Sequence, residues 1–135
     1  AICAEVLGGI QAVMEMSVEY AKERRQFDRP IGSFQAIQYK LADMLTDVEG
    51  ARWITYRAAW LIAEGRPAEA EIAMAKTWVS DAGRRVTAEG QQVHGGSGYM
   101  WEYDVNLYFR RIKAAEVTLG DADYHRERLA QAIGL

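Results

Sequence analysis

The sequence predicts an all-α fold in which four long helices form an up-down-up-down bundle. Apolar residues recur at spacings of three and four over most of the 135 residues, which is the repeat of an amphipathic helix. Only two prolines, Pro30 and Pro67, interrupt the chain, and each follows a segment with helical periodicity. No segment shows the sustained alternation of apolar and polar residues that indicates a strand. Short connections make successive helices antiparallel, so that their apolar faces bury one another.

The first helix is predicted to end shortly before Pro30. Gly8 and Gly9 are costly inside a helix, which favours a close helix crossing at this point. The residue before Pro30 is disfavoured in the helical region and Gly32 permits a tight turn, so Ser33 is the expected N-cap of the next helix. The apolar face of the first helix consists of Val6, Ile10, Val13, Met14 and Ser17.

The second helix is predicted to span about 30 residues, roughly 45 Å at 1.5 Å per residue, and to end at residues 64–67. The third begins near Pro67, because proline is tolerated in a first helical turn, and ends at Gly95. A fourth helix covers residues 105–115, and a final helix follows a break at Gly120. The predicted apolar faces of the second and third helices contain Phe34, Ile37, Leu41, Met44, Leu45, Val48, Ile54, Ala58, Leu61 and Ile62, and then Ile72, Ala75, Val79, Val86 and Val93.

Composition excludes several classes of function. A net charge of -3 and a pI near 5.4 give no electrostatic reason to expect nucleic acid or a membrane surface as a partner. A single cysteine, Cys3, rules out an internal disulfide and agrees with a reducing, cytoplasmic location. The chain starts inside an apolar helical pattern, which leads us to expect a fragment of a longer protein. The tryptophans are expected in the core or in a subunit interface, and they are Trp53, Trp60, Trp78 and Trp101.

A helical bundle also suggests a di-iron protein, which needs Glu-x-x-His pairs that project inward from two helices. The only histidines are His94 and His125, and the residues three positions before them are Gln91 and Ala122. The ligand count therefore fails, and we expect no metal. His125 is interpreted as a surface or packing residue.

Two short segments stand out from the helical pattern. Residues 23–35 read ERRQFDRPIGSFQ, and residues 92–99 read QVHGGSGY. An arginine at the end of a helix is usually a solvated cation, but its planar fork also suits a pyrophosphate. Glycines allow a backbone to approach a ligand closely, although their commonest meaning after a helix is a C-cap. Neither segment matches the dinucleotide or P-loop fingerprints.

Together these segments resemble the C-terminal helical domain of the acyl-CoA dehydrogenases, flavoproteins that oxidise the Cα–Cβ bond of acyl-CoA thioesters. The resemblance runs without a gap from Ala1 to the C-terminus. It implies that both motifs contact FAD bound to the neighbouring subunit, and that two acidic residues after Gly120 are possible FAD contacts. Asp28 departs from the glycine usual in the family, and its carboxylate should weaken pyrophosphate binding unless Arg25 or Arg29 neutralises it. The FAD contacts implied by the resemblance are Arg24, Gln26, Phe27, Phe34, Gln35, Gln92, Gly95, Gly96, Asp121 and Asp123.

The catalytic base of the family is absent from its usual place. The reaction removes an α-proton with a carboxylate while a hydride leaves the β-carbon for the flavin. In many members the glutamate directly precedes a glycine, and here that place is Leu119, followed by Gly120. Glu116, one helical turn away, is interpreted as a surface charge. Other members carry the base near the start of the first helix, a position that lies just before Ala1, so the catalytic residue of this chain is unknown.

The resemblance therefore implies that residues 1–135 are one C-terminal bundle domain, inactive alone, of a flavoenzyme that also has an N-terminal helical domain and a middle β domain. Its substrate would be an acyl-CoA, its electron acceptor the electron-transfer flavoprotein, and its assembly a homo-oligomer, either a dimer or a tetramer. Leu119 supports an alternative, in which the chain is a non-catalytic structural subunit that partners a competent dehydrogenase. The residues before Ala1 would discriminate between the two.

Overall fold

The computed structural model describes all residues 1–135 and confirms the all-α fold. Two short 3-10 turns, Ile31–Ser33 and Gly95–Tyr99, connect parts of the chain. The final helix expected after Gly120 is present as a fifth member that packs on the third helix. The five helices are α1 (Ile2–Glu23), α2 (Gln35–Ala63), α3 (Glu69–His94), α4 (Asp104–Val117) and α5 (Ala122–Ala132).

Successive helices run in opposite directions, as predicted. Pairing between α2 and α3 shows this directly, because Asp47 near the middle of α2 binds Arg85 at 2.6 Å, whereas Arg57 further along α2 binds Glu71 at the start of α3 at 3.1 Å. The α3 helix lies at the centre and packs against each of the other four. This arrangement gives the bundle two ends, and each end carries a recess.

The core confirms the predicted helical faces in their central parts. Gly9 and Gly90 allow close packing, because a Cβ at Gly9 would lie 2.9 Å from Ile112 Cδ1 and one at Gly90 would overlap Val13. The crossing expected at the double glycine is therefore confirmed for Gly9 only, since a Cβ at Gly8 would have no neighbour within 4 Å. The largest fully buried side chains include Ile10, Val13, Met44, Val48, Val79 and Val86.

The prediction that the chain has no strand is wrong at one place. Arg25–Gln26 and Arg29–Pro30 form a two-residue antiparallel hairpin. Its central residues Phe27 and Asp28 both have positive φ, 51° and 62°, which is the geometry of a type I′ turn. The hairpin is too short to show alternation, so no periodicity in the sequence could indicate it.

Three local predictions also need correction. Ser33 is not the N-cap of α2: it lies in a 3-10 turn, its hydroxyl donates to Pro30 O at 2.7 Å, and Phe34 takes the cap position. Pro67 lies outside α3, which begins at Glu69. No tryptophan lies in the core, which leaves the subunit interface as the part of that prediction that stands untested. The tryptophans are exposed, as are three members of the predicted apolar faces, and these side chains are Trp53, Trp60, Trp78, Trp101, Leu45, Ile62 and Ile72.

None of the five helices has both the length and the apolar composition that a bilayer-spanning segment requires.

Candidate functional site

The two sequence motifs meet in one recess at the C-terminal end of α1, which we call the polar cleft. It has a volume of about 440 Å³. The first motif contributes Arg24 and Gln26, and the second contributes Gly95 and Gly96, about 70 positions later in the chain. The cleft is completed by Tyr20, Ile31, Val93, His94, Ser97 and Tyr103. The structure thus brings together four of the residues predicted to contact FAD.

Arg24 is positioned by the backbone and its charge is free. The residue ends α1 with an extended conformation (φ -67°, ψ 121°), and its N–H still donates to Tyr20 O at 2.8 Å. Its carbonyl accepts from Ile31 N at 2.8 Å, which ties the helix end to the segment after the hairpin. The guanidinium is exposed and takes part in no ion pair or side-chain hydrogen bond, although nine other cations of the chain pair with carboxylates. It is therefore available to an anion.

The glycine turn presents open backbone to the same cleft. Gly95 has φ 62°, a left-handed conformation that favours glycine, and a Cβ at Gly95 or Gly96 would have no neighbour within 4 Å. The turn is held by Ser97, whose hydroxyl donates to His94 O at 2.8 Å. Beneath it, the His94 ring stacks on Tyr20 with centroids 4.4 Å apart. His94 therefore has a structural place in the turn, as the sequence suggested.

The two neighbouring glutamines at the end of α3, Gln91 and Gln92, differ in burial and in what they contact. Gln92, a predicted FAD contact, is exposed on the last turn of α3 and does not line the polar cleft. Gln91 is buried, and its Nε2 donates to Gly98 O at 3.3 Å, which pins the glycine turn to the helix. The two amides face different environments, so only Gln92 could reach a ligand outside the bundle.

The aromatic members of the first motif lie at the tip of the hairpin, Phe27, and at the cap of α2, Phe34. Phe27 is 86% exposed at the tip and meets Phe34 edge to face at a centroid distance of 6.2 Å. The guanidinium of Arg29 lies over the Phe34 ring, with Cζ 4.0 Å from its centroid. Gln35 donates to Tyr39 Oη at 2.6 Å. None of these side chains lines the polar cleft.

The Asp28 carboxylate is not neutralised in the way the sequence suggested. Arg25 Nη2 donates to the Asp28 backbone carbonyl, not to the carboxylate, and Arg29 lies on Phe34. Neither arginine forms an ion pair with Asp28. The charge of this side chain therefore remains on the hairpin next to the cleft.

The opposite end of the bundle holds an apolar recess of about 370 Å³, which we call the apolar cavity. Leu119 and Ala1 both line it, so the usual position of the catalytic glutamate and the start of α1 face the same space. Its other lining residues are Ile2, Cys3, Ala4, Thr55, Ala58, Ala59, Ile62, Ile72, Ala75, Lys76 and His125. A cavity of this size and lining suits a hydrocarbon chain.

Leu119 cannot act as a base, and its neighbours do not replace it. The Glu116 side chain is mostly covered, and its carboxylate accepts from the exposed Lys113 Nζ at 2.7 Å, so the expected surface charge is in fact a partly buried carboxylate in an ion pair. Asp121 caps α5 by accepting from Tyr124 N at 2.9 Å, and Asp123 pairs with Arg126. The two aspartates predicted as FAD contacts therefore lie at the cavity end of the bundle.

Lys76 carries the most unusual charge in the fold, and none of the predictions from sequence included it. This side chain is only 4% exposed, and burial lowers the pKa of its ammonium, an effect opposed by the nearby Cys3 sulfur and the carboxylates of Asp121 and Glu116. It has no carboxylate partner and donates to a hydroxyl and three backbone carbonyls. A signal existed, because position 76 lies four residues after Ile72 and three before Val79, on the apolar face of α3.

The cleft and the cavity are separated by the length of α1. Ala1–Ala4 line the cavity and Tyr20 and Arg24 line the cleft, so the 22 residues of α1 place the two recesses roughly 33 Å apart. The two aspartates after Gly120 and the arginine motif consequently cannot touch the same small group within one chain.

Known proteins resemble this chain both in sequence and in fold. A family model for the acyl-CoA dehydrogenase C-terminal domain matches residues 1–134. The probable acyl-CoA dehydrogenase YngJ of Bacillus subtilis is 43% identical over 132 residues, which are 98% of this chain and 35% of that protein. Butyryl-CoA dehydrogenase from Megasphaera elsdenii superimposes with a TM-score of 0.95 at 38% identity, over 98% of this chain and 34% of that one.

A second similar structure is a complex of two proteins. The ChsE4–ChsE5 complex from Mycobacterium tuberculosis contains a chain that is 41% identical and has a TM-score of 0.94, over 98% of this chain and 36% of that one. In each case this chain spans about a third of the length of the protein it matches.

Proposed function

The chain belongs to the acyl-CoA dehydrogenase family, as a C-terminal helical domain, and we propose on this premise that it works within a longer FAD-dependent enzyme. That enzyme introduces a double bond between Cα and Cβ of an acyl-CoA thioester. Residues 1–135 are one domain of it, next to an N-terminal helical domain and a middle β domain, and have no activity alone. The observation that carries the proposal is the meeting of the arginine and glycine motifs in the polar cleft.

The residues of the polar cleft fit the phosphate-bearing part of FAD. An unpaired arginine provides charge-assisted hydrogen bonds to a pyrophosphate, and open glycine backbone lets a ligand approach without a steric barrier. When bound, FAD supplies the acceptor for the hydride that leaves the substrate. The separation of roughly 33 Å from the cavity supports an arrangement in which Arg24 serves the FAD of a neighbouring subunit, while Asp121 and Asp123 stand near a different active site. Gln92 would reach the same ligand from the edge of the cleft.

The apolar cavity is proposed as one wall of the acyl pocket. Its lining would exclude water from the acyl chain, and Leu119 would contact the chain without taking a proton. The base would then come from residues that precede Ala1 in the longer protein, because Ala1 and Leu119 line the same space. A carboxylate placed there would stand over the chain from the α1 side of the cavity.

The test is anaerobic mixing of the full-length protein with a panel of acyl-CoA thioesters, following the oxidised flavin band. We expect bleaching with at least one thioester and its loss when the carboxylate upstream of Ala1 is replaced by its amide. Glu116→Gln is the matched control and should bleach like the wild type. Bleaching that survived removal of every upstream carboxylate but vanished in Glu116→Gln would make Glu116 the base and overturn this assignment.

A second candidate function is that of a non-catalytic subunit in a heteromeric dehydrogenase. Leu119 favours it, because the cofactor motifs are kept while the usual base is not, and the similarity to a chain of the ChsE4–ChsE5 complex supports it. In that arrangement Arg24 and the glycine turn would complete the active site of the partner. If the purified homo-oligomer bleaches with no thioester and a co-expressed partner restores bleaching, this second function is the correct one.

Self-association is part of the proposal. The outer face of α2 exposes aromatic side chains at spacings of three and four residues, Trp53, Tyr56 and Trp60, which the bundle leaves uncovered. We expect a homo-oligomer, a dimer within a tetramer, in a reducing cytoplasmic setting, with the electron-transfer flavoprotein as acceptor. Sedimentation should show a dimer or larger species, and a monomer that persists at high micromolar concentration would contradict the assignment of this face.

A further inference from the structure

A buried lysine reaches beyond the end of α4 into the turn that follows it. Lys76 Nζ donates to Ser80 Oγ at 3.1 Å, to Ala115 O at 3.3 Å, to Glu116 O at 2.8 Å and to Gly120 O at 2.8 Å. The first two carbonyls belong to the last turn of α4, which ends at residue 117, and such groups need a partner in any helix. Gly120 O lies outside the helix, so the lysine does more than cap it.

A second buried side chain holds the same turn from α5. His125 is buried, and its Nε2 lies 3.0 Å from Leu119 O. A carbonyl only accepts, so Nε2 carries the hydrogen and donates. The Tyr124 ring meets the imidazole edge to face at a centroid distance of 5.1 Å. Residues from two different helices thus bind successive carbonyls, those of Leu119 and Gly120.

The turn at residues 118–121 is strained at Leu119, whose side chain projects to the surface of the bundle. Leu119 has φ 63°, in the left-handed region where the Cβ of any residue other than glycine crowds the backbone. Its side chain is 77% exposed and lines the apolar cavity. A strained backbone persists only where the surrounding structure holds it, and here the Lys76 and His125 donors provide that hold.

We propose that Lys76 and His125 are positioning residues that fix residues 118–121, and that Leu119 thereby becomes a fixed wall of the acyl pocket that determines the selectivity for acyl-chain length. The inference rests on the proposed function, because it takes the apolar cavity as the acyl site. With both donors present Leu119 stays in its strained place and limits the space at the cavity. Without them the turn relaxes, the leucine leaves, and longer chains gain room.

The test compares two unreactive ligands, S-butyl-CoA and S-dodecyl-CoA, on the full-length holoprotein. Isothermal titration gives a Kd for each, and the quantity of interest is the ratio of the two values. A variant that only loses folded protein changes the amount of binding and leaves this ratio unaltered. We expect Lys76→Met and His125→Phe to shift the ratio about tenfold toward the longer ligand, a size typical of a change of one methylene or more in an apolar pocket.

Matched controls accompany both variants. Lys113→Met removes a lysine near the same end of α4 that is paired at the surface, and it should keep the wild-type ratio. His125→Gln can still donate to Leu119 O and should restore most of the wild-type ratio. Amide hydrogen exchange across residues 117–121 provides the structural readout, and we expect faster exchange in Lys76→Met and His125→Phe than in Lys113→Met.

Two outcomes overturn the inference. If Lys76→Met and His125→Phe keep the wild-type ratio within about twofold, or exchange at 117–121 no faster than Lys113→Met, the two residues do not position the turn. If Lys76→Met does not fold, His125→Phe decides alone. Failure of the proposed function has a different signature, because the wild-type protein would then bind neither S-alkyl-CoA, and the inference would fall with it.

Discussion

The two ends of the bundle treat a positive charge in opposite ways. At the cavity end the charge is buried and fully hydrogen-bonded within the chain, because Lys76 donates to four acceptors of its own fold. At the cleft end the charge has no partner within the chain, because Arg24 is exposed and forms no ion pair. A buried donor whose partners are all internal stabilises a fold, whereas an exposed and unpaired fork can bind something else. The contrast distinguishes a cation that stabilises the fold from one that we propose to bind a ligand.

The backbone around the two cations shows the same contrast. Near Lys76 the chain is strained and held, with Leu119 in a left-handed conformation between two donors. Near Arg24 the chain is open, with Gly95 and Gly96 free of close neighbours. A mutation at the cavity end should therefore act on stability first, and one at the cleft end on ligand binding first.

The largest expected effect is that of Lys76→Met on stability. Removal of the ammonium leaves the carbonyls of Glu116 and Gly120 without their donor, and leaves Ala115 O with Thr118 N alone. This should lower the free energy of unfolding by about 2–4 kcal/mol and the Tm by roughly 8–16 °C. Lys113→Met removes an exposed ammonium that pairs with the partly buried Glu116 near the same helix end, and should change stability by less than about 1 kcal/mol. Thermal unfolding of the chain measures both. Equal Tm values for the two variants would show that Lys76 does not stabilise the fold, and the contrast between the two ends of the bundle would then be wrong.

The next effect is on cofactor retention at the other end. Arg24→Ala should weaken FAD binding by about 1.5–3 kcal/mol, the size of a charge-assisted contact, or roughly a 10- to 150-fold rise in Kd, with an unchanged Tm of the apoprotein. Gln92→Ala should act in the same direction but less. Arg84→Ala, at an exposed surface pair on α3, is the control and should retain FAD. Flavin content after purification and the Kd for FAD, from titration of the full-length apoprotein, measure the effect. Undiminished flavin in Arg24→Ala would show that this cleft does not bind the cofactor.

Two residues of the glycine turn, Gly96 and Gly98, separate an effect on FAD binding from an effect on stability. A Cβ at Gly98 would lie 2.7 Å from Gln91 O and 2.9 Å from Gln91 Cα, both backbone atoms, so Gly98→Ala should cost about 1–3 kcal/mol of stability. A Cβ at Gly96 would meet nothing within 4 Å, so Gly96→Ala should fold normally and lose only FAD affinity. Unfolding curves should therefore shift for Gly98→Ala, and flavin content should fall for Gly96→Ala. A destabilised Gly96→Ala would show that the glycine turn serves the fold alone.

The smallest effect is expected at the hairpin. Asp28 has φ 62°, a conformation that glycine adopts without cost, so Asp28→Gly should change stability by less than about 1 kcal/mol in the favourable direction. It also removes a carboxylate beside the polar cleft, so FAD should bind slightly more tightly. Asp28→Asn, which keeps the turn but removes the charge, is the matched control and separates the two effects. Weaker FAD binding in both variants would mean that the Asp28 carboxylate assists the site.

Much of the fold could be predicted from the sequence because each helix is long and its repeat is local. Ile10, Val13, Met44, Val48, Val79 and Val86 all lie on predicted faces and are buried. The predictions failed where only a few residues decide the structure. The hairpin has two residues per strand, and Ser33 was a plausible cap until the 3-10 turn moved the start of α2 to Gln35. For the tryptophans only the core half of the prediction is wrong, and the interface half stays a prediction, since it depends on what lies outside this domain.

The sequence by itself determined the helical fold, the family and the two motifs, because periodicity and motif identity are properties of residues near one another in the chain. Only the tertiary structure could decide which distant residues meet. It joined Arg24 to Gly95 in one cleft and placed Asp121 at the other end of the bundle. It also gave Lys76 its acceptors some 40 positions away. Hydrogen bonding and burial depend on distance in space, and that distance is fixed only when the helices pack.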